Sequence, residues 1–239
     1  MYTHSEIIKR FYDMADPGYC KFSSSLIPGS KPLIGVRIPY LRVFAKEIVQ
    51  NDYKSFLNNV GHDFFEEYML EGFVISYMKI DFSSKLEFVK KFVDKIDNWS
   101  VNDSFCNSLK EFKNNRSAGY EFLEQYFNSQ KEYENRFANI MLMSYYLIPE
   151  YVDRVLKVFS EFSHEAYYAK MGVAWAVATA FAKFPDKTME FMRNWKTDSL
   201  TYNMAIRKMC ESYRVSKEDK IILKNMKLSL IHISEPTRR

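Results

Sequence analysis

Seven glycines and seven prolines are spread over 239 residues, leaving long stretches in which apolar residues recur at intervals of three and four. Phe88, Phe92, Val93 and Ile96 form one such set, and Val152, Val155, Leu156 and Phe159 another. This is the period of an amphipathic helix, and few residues that break helices interrupt it. No stretch alternates apolar and polar residues for long, and no Asn-Gly hairpin turn occurs. The expected fold is therefore all-α. Aromatic residues, 17% of the chain, supply ample bulk for a core.

Helix punctuation divides the chain further. Thr3 and Glu6 have the spacing of a capping box, which opens a helix running to about Met14. Asp16-Pro17 opens a second, to about Leu26. Ile27-Pro28-Gly29-Ser30-Lys31-Pro32 is the clearest loop, and Pro39 suits the first turn of a helix over 40–50. Further helices are predicted near 53–60, 64–80, 83–97, 100–113, 117–128, 131–147, 150–161, 164–183, 186–196, 199–213 and 216–227. Short connections make neighbours antiparallel, and helix pairs follow one another about every 35 to 40 residues, close to the HEAT and armadillo period. The expected arrangement is a stack of such pairs, a curved, right-handed superhelix whose concave groove is the usual binding surface. No sequence repeat accompanies the spacing, and a compact bundle also fits it. Residues 1–228 are expected to form one domain of this kind. The last eleven residues, Ser229 to Arg239, have neither helical period nor cap and resemble a translated sequencing adapter, so a non-native tail is expected there.

Composition narrows the function. Glu6, Lys9 and Arg10 interrupt any N-terminal apolar run, and the most apolar stretch, Gly172 to Ala182, is too short for a membrane span. No membrane role is expected, and the cytoplasm is the expected location. Cys20, Cys106 and Cys210 are odd in number and lack CxxC spacing, which fits reduced, mostly buried thiols. His4, His62, His164 and His232 are scattered, so no metal site and no cofactor is expected. A net charge of +4 permits nucleic acid as a partner without requiring it. Lys85, Lys90, Lys91 and Lys95 read as solvated helix faces.

The stretch that stands out is Asn98-Trp99-Ser100-Val101-Asn102-Asp103. Trp99 and Asp103, four residues apart, share one helix face. An indole beside a carboxylate is a poor core pair but a good one for holding a positive charge. Arg136 follows Trp99 by 37 residues, and Trp175 follows Arg136 by 39. Both separations match the repeat period, so the four residues are expected to line one groove. Each also has a plain reading. Asp103 could be an acid in a helix's first turn, Trp99 and Trp175 could be core, and Arg136 could pair with Glu132 or Glu134. Trp195 reads as packing.

Four segments, in order and at the right spacing, resemble the DNA alkylation repair family, the AlkD-like glycosylases built from HEAT-like repeats. The likeness covers about residues 5 to 227. Leu33-Ile34-Gly35-Val36-Arg37-Ile38-Pro39-Tyr40-Leu41-Arg42 is similar to its early Gly-x-x-x-Pro-x-x-Arg segment. Trp99-x-x-x-Asp103 is similar to its tryptophan and catalytic aspartate. Arg136 matches its phosphate-facing arginine, and Tyr167 to Trp175 the segment ending in its second tryptophan. The resemblance implies a monomeric, cofactor-free enzyme, associated with the nucleoid of a prokaryotic cell. It would hydrolyse the N-glycosidic bond of 3-methyladenine or 7-methylguanine in duplex DNA. Asp103, Trp99 and Trp175 would be catalytic, with Arg136, Lys170 and Arg37 on the DNA backbone. Two departures stand out. Ala178 and Thr179 occupy the place of an Arg-Glu pair, and Asn135 precedes Arg136. They leave open two other readings: a non-catalytic repeat protein that binds damaged or branched nucleic acid, and a protein-binding scaffold.

Overall fold

The computed structural model describes residues 2–228. The expected tail, 229–239, lies outside the described residues. Regular structure among those described is helical, apart from one isolated antiparallel bridge between Ala15 and Val36. The chain divides into two compact units between Glu124 and Gln125. The first holds α1 (His4–Asp13), α2 (Pro17–Leu26), α3 (Ile38–Asn51), α4 (Tyr53–Asn59), α5 (Phe65–Tyr77), α6 (Phe82–Val93), α7 (Trp99–Cys106) and α8 (Arg116–Glu124). The second holds α9 (Glu132–Tyr145), α10 (Val152–Ser160), α11 (Tyr167–Lys183), α12 (Pro185–Asn194), α13 (Ser199–Glu211) and α14 (Lys217–Asn225).

In the first unit α5 packs on both α3 and α7, and in the second α11 packs on both α9 and α13. Helices two apart in sequence are thus neighbours in space, as stacked helix pairs require. These helices begin at Ile38, Phe65, Trp99, Glu132, Tyr167 and Ser199, a somewhat shorter repeat than expected. The second member of each pair is short, 7 to 12 residues, and this accounts for the difference.

The central helix of the first unit is buried from Phe65 to Ser76, yet it carries three acids. Buried carboxylates are costly unless partnered, and each here is partnered. Glu66 accepts hydrogen bonds from the backbone N–H groups of Ile34 (3.0 Å), Gly35 (2.7 Å) and Val36 (3.2 Å). Glu67 accepts from the N–H groups of Asp63 and Phe64 and lies 2.8 Å from His4 Nε2. Glu71 is bonded to His62 at 2.6 Å and Lys95 at 2.7 Å.

The Glu66 bonds pin the loop that follows α2. Gly35 adopts φ +102°, and a Cβ there would come within 2.6 Å of Asp16 O and 2.7 Å of Cys20 Cβ. Only glycine lets this strand lie so close to α2. Asp16 N–H donates to Gly35 O at 3.0 Å and Cys20 Sγ to Leu33 O at 3.1 Å, so the loop is tied to α2 on one side and α5 on the other.

Two sequence expectations need correcting here. The helix predicted over 100–113 ends at Cys106, and a 3-10 turn at Lys110–Lys113 follows. Ser108 Oγ donates to Ser104 O and accepts from Arg42 Nη1 at 2.9 Å, side-chain bonds that compete with helix continuation. Lys85 does not lie on a solvated face. It is buried, and its Nζ reaches Glu111 at 2.7 Å and Ser76 O at 3.4 Å. Trp195 is packing as expected, its indole N–H bonded to Phe159 O at 2.9 Å. Among the described residues no helix is long and apolar enough to cross a membrane.

Replacing Glu66 with alanine orphans three buried N–H groups at about 1–3 kcal/mol each, so Glu66→Ala should lose on the order of 3–9 kcal/mol. Urea unfolding measures it, and a loss below about 1 kcal/mol would mean the loop is held by other contacts.

Candidate functional site

Asn98 caps α7, its side chain accepting from Val101 N–H, so that Trp99 is the first helical residue. Asp103 is therefore the fifth, one turn above Trp99, and no acid lies in the first turn. The first-turn reading of Asp103 does not apply. The indole N–H of Trp99 donates to Leu26 O at 3.3 Å, at the last residue of α2. A helix end leaves carbonyls without intrahelical partners, and this contact satisfies one while joining α2 to the start of α7.

Between these helices lies a cleft of about 260 Å³, lined from α7 by Trp99, Ser100, Asp103 and Ser104. Tyr19, Phe22 and Leu26 of α2 form the opposite wall. Phe22 is 61% exposed and Leu26 48%, high values for large apolar side chains. Asp103 is 8% exposed, and Asn102 Nδ2 donates to its Oδ1 at 3.0 Å. The volume falls below the range of roughly 300–1,000 Å³ usual for whole small-molecule ligands, so it suits part of a ligand, such as a sugar ring. An acid between an indole and an apolar wall stabilises positive charge that develops within it.

Arg37 lines a separate hollow with Asp13, Asp16, Pro17 and Tyr40. Its Nε and Nη2 donate to Asp16 Oδ2 at 3.0 and 2.7 Å, and its guanidinium lies 5.1 Å from the centre of the Tyr19 ring. Hydrogen bonds from Tyr19 N–H and from Arg37 hold the Asp16 carboxyl below its usual range. The pair is exposed, and such ion pairs exchange partners readily. Arg42 braces α7 from behind, its guanidinium 4.1 Å from the centre of the Phe73 ring and bonded to Tyr77 and Ser108.

The second unit holds the other expected residues. Arg136, on α9, is 3% exposed, and its Nη1 donates to Tyr168 O at 2.8 Å. A Cβ on Gly172 would meet Arg136 Cγ at 3.2 Å, so the missing side chain makes room for the arginine stem. Trp175 follows Gly172 by three residues, on the same face of α11, and is 38% exposed. Glu132 accepts from Tyr168 N–H at 2.6 Å, and Glu134 bonds Lys131 and Ser129. Lys170 is nearly buried, with Glu165 at 3.5 Å and Asp198 at 3.4 Å, so its charge is already countered within the protein. Burial raises the Asp198 pKa, but bonds from Thr201 and the charge of Lys170 outweigh this and hold it below the usual range.

Trp99, Arg136 and Trp175 are not at equivalent places in their helices. They are the first residue of α7, the fifth of α9 and the ninth of α11. The match between their spacing and the repeat period thus conceals a step of one turn at each helix. The α2 wall could have been read in the sequence from Tyr19, Phe22 and Leu26, an apolar stripe at i, i+3 and i+7. Asn102 carried no such signal. His4, Asp63 and Glu67 bring ligand atoms within 4.8 Å of one another. The Glu67 oxygens already accept three close contacts there, which accounts for the cluster without an ion.

The family model described as DNA alkylation repair enzyme matches residues 7–209. No curated protein matches the chain.

A larger side chain at Gly172 must push Arg136 aside. Gly172→Val should destabilise the protein by about 1–3 kcal/mol, the usual cost of overpacking, seen as a lower midpoint in urea. An unchanged midpoint would show that the arginine stem has room to move.

Proposed function

We propose that this chain, which belongs to the DNA alkylation repair enzyme family, removes cationic alkylpurines such as 3-methyladenine and 7-methylguanine from duplex DNA by hydrolysing the N-glycosidic bond. The observation that carries this reading is the cleft in which Asp103 sits beside Trp99. Alkylation at N3 or N7 makes the purine cationic, so it leaves without a strong general acid. The bond between C1′ and the base breaks, and its electron pair departs with the purine, which becomes neutral. Positive charge moves to the sugar, and a carboxylate close by lowers the energy of that oxocarbenium ion. Water then adds to C1′ and loses a proton to solvent, leaving an abasic site. Asp103 supplies the negative charge and positions the water. Trp99 offers a π face to the sugar.

We assign Arg136 and Arg37 to DNA phosphates. Guanidinium groups suit such contacts, and Arg37 has only an exposed carboxylate to exchange for one. Lys170 we assign instead to holding Asp198, which accepts Thr201 N–H at the start of α13. A cleft smaller than a nucleotide fits an enzyme that works at the sugar without drawing the base into a pocket. No metal or cofactor enters this scheme.

Asp103→Asn should abolish release of 7-methylguanine from methylated duplex DNA while affinity for abasic-site DNA changes little. Unchanged release would remove Asp103 from the chemistry. Binding without release by the wild type, at any enzyme concentration, would favour a non-catalytic nucleic-acid-binding protein. Arg136→Ala should weaken binding and lower the slope of log affinity against log salt by about 1, as loss of one phosphate contact requires. An unaltered slope would place Arg136 away from the backbone.

A further inference from the structure

Asn102 is fully buried, 0% exposed, on a helix whose Val101, Phe105 and Cys106 are buried as well. A position sealed to this degree ordinarily holds an apolar residue. Its Nδ2 donates to Asp103 Oδ1 at 3.0 Å. Its Oδ1 is buried with no hydrogen-bond partner among the described residues, an arrangement that disfavours folding. Rotating the amide by half a turn does not relieve this. It would set Oδ1 against the carboxylate and lose the one bond the side chain makes, so contact with Asp103 fixes its orientation. Packing alone does not explain an amide here, because an aliphatic side chain of the same shape would leave no orphaned carbonyl.

We propose that Asn102 is a positioning residue for Asp103, retained despite its unpaired carbonyl because its N–H holds the carboxylate in the α2–α7 cleft. The inference rests on the proposed role of Asp103. The choice of side chain suits that role. A lysine or arginine at this place would orient the acid but also cancel its charge, weakening its effect on a cationic sugar. A neutral amide fixes the carboxylate and leaves its charge in place.

The test compares wild type, Asn102→Leu, Asn102→Ser and Asp103→Asn by three measurements. These are single-turnover release of 7-methylguanine from duplex DNA, affinity for abasic-site DNA, and melting temperature. Asn102→Leu keeps the shape and removes both the donor and the orphaned acceptor. Its release rate should fall on the order of 10- to 100-fold, the effect of a small misplacement at a reacting centre. Its DNA affinity should stay within about twofold, and its melting temperature should equal or exceed that of the wild type. Asn102→Ser keeps a hydroxyl donor and should recover part of the lost rate. If Asn102→Leu and Asn102→Ser both release base at the wild-type rate while Asp103→Asn does not, Asn102 is packing and the inference fails. If Asp103→Asn itself releases base normally, the reading of the site falls first and this inference with it. Should Asn102→Leu not fold, Asn102→Ala, which also removes the donor, takes its place, and release of base by that variant at the wild-type rate overturns the inference.

Discussion

The position of α2 depends on one buried acid. Glu66 projects from a buried helix and accepts at 3.2 Å or less from three successive backbone N–H groups, Ile34 to Val36. Because a carboxylate so placed must keep its donors, the 33–36 stretch cannot drift. Gly35 then allows that stretch to lie directly on α2. The other end of α2 is joined to α7 by the Trp99 indole. The cleft beside Asp103 therefore has a fixed far wall, although most of that wall is exposed and packs against little else. A loop held in this way also explains how Phe22 and Leu26 remain at the surface without collapsing onto the core.

Asp103 is placed by a similar division of labour. Arg42 sets the end of α7 from behind, through Ser108, and Asn102 bonds the carboxylate from beneath. Both contacts come from residues that touch no solvent-facing part of the cleft. Electrostatic stabilisation of a developing charge depends on groups that do not have to reorganise as the charge appears. A carboxylate held from below, on a helix clamped from behind, meets that condition better than one on a mobile loop.

Much of this was legible in the sequence. The 3.6 period placed the helices, because each buries one face against a neighbour, and Asp16 and Thr3 marked starts through their capping side chains. The Trp99 and Asp103 pair was legible because an indole and an acid on one face suit no ordinary core. Three things were not. The break after Cys106 arises from side-chain bonds to Arg42, which is distant in sequence. The burial of Glu66 and Lys85 depends on partners 26 to 32 residues away, and a helical period carries no information about those. Lys170 looked like a spare cation because its partner Asp198 lies on another helix. The sequence pattern reports which face is buried, whereas ion pairs and side-chain clamps are settled only by the fold.

The central claim is that the cleft stabilises positive charge on the sugar and relies on the lesion for its leaving group. Its most direct test is release of free base from two duplexes identical but for the damaged base, one with cationic 7-methylguanine and one with neutral hypoxanthine. The account predicts release of 7-methylguanine alone, since nothing in the cleft is assigned to protonate a neutral purine. Comparable release of both bases, or release of neither, would contradict it.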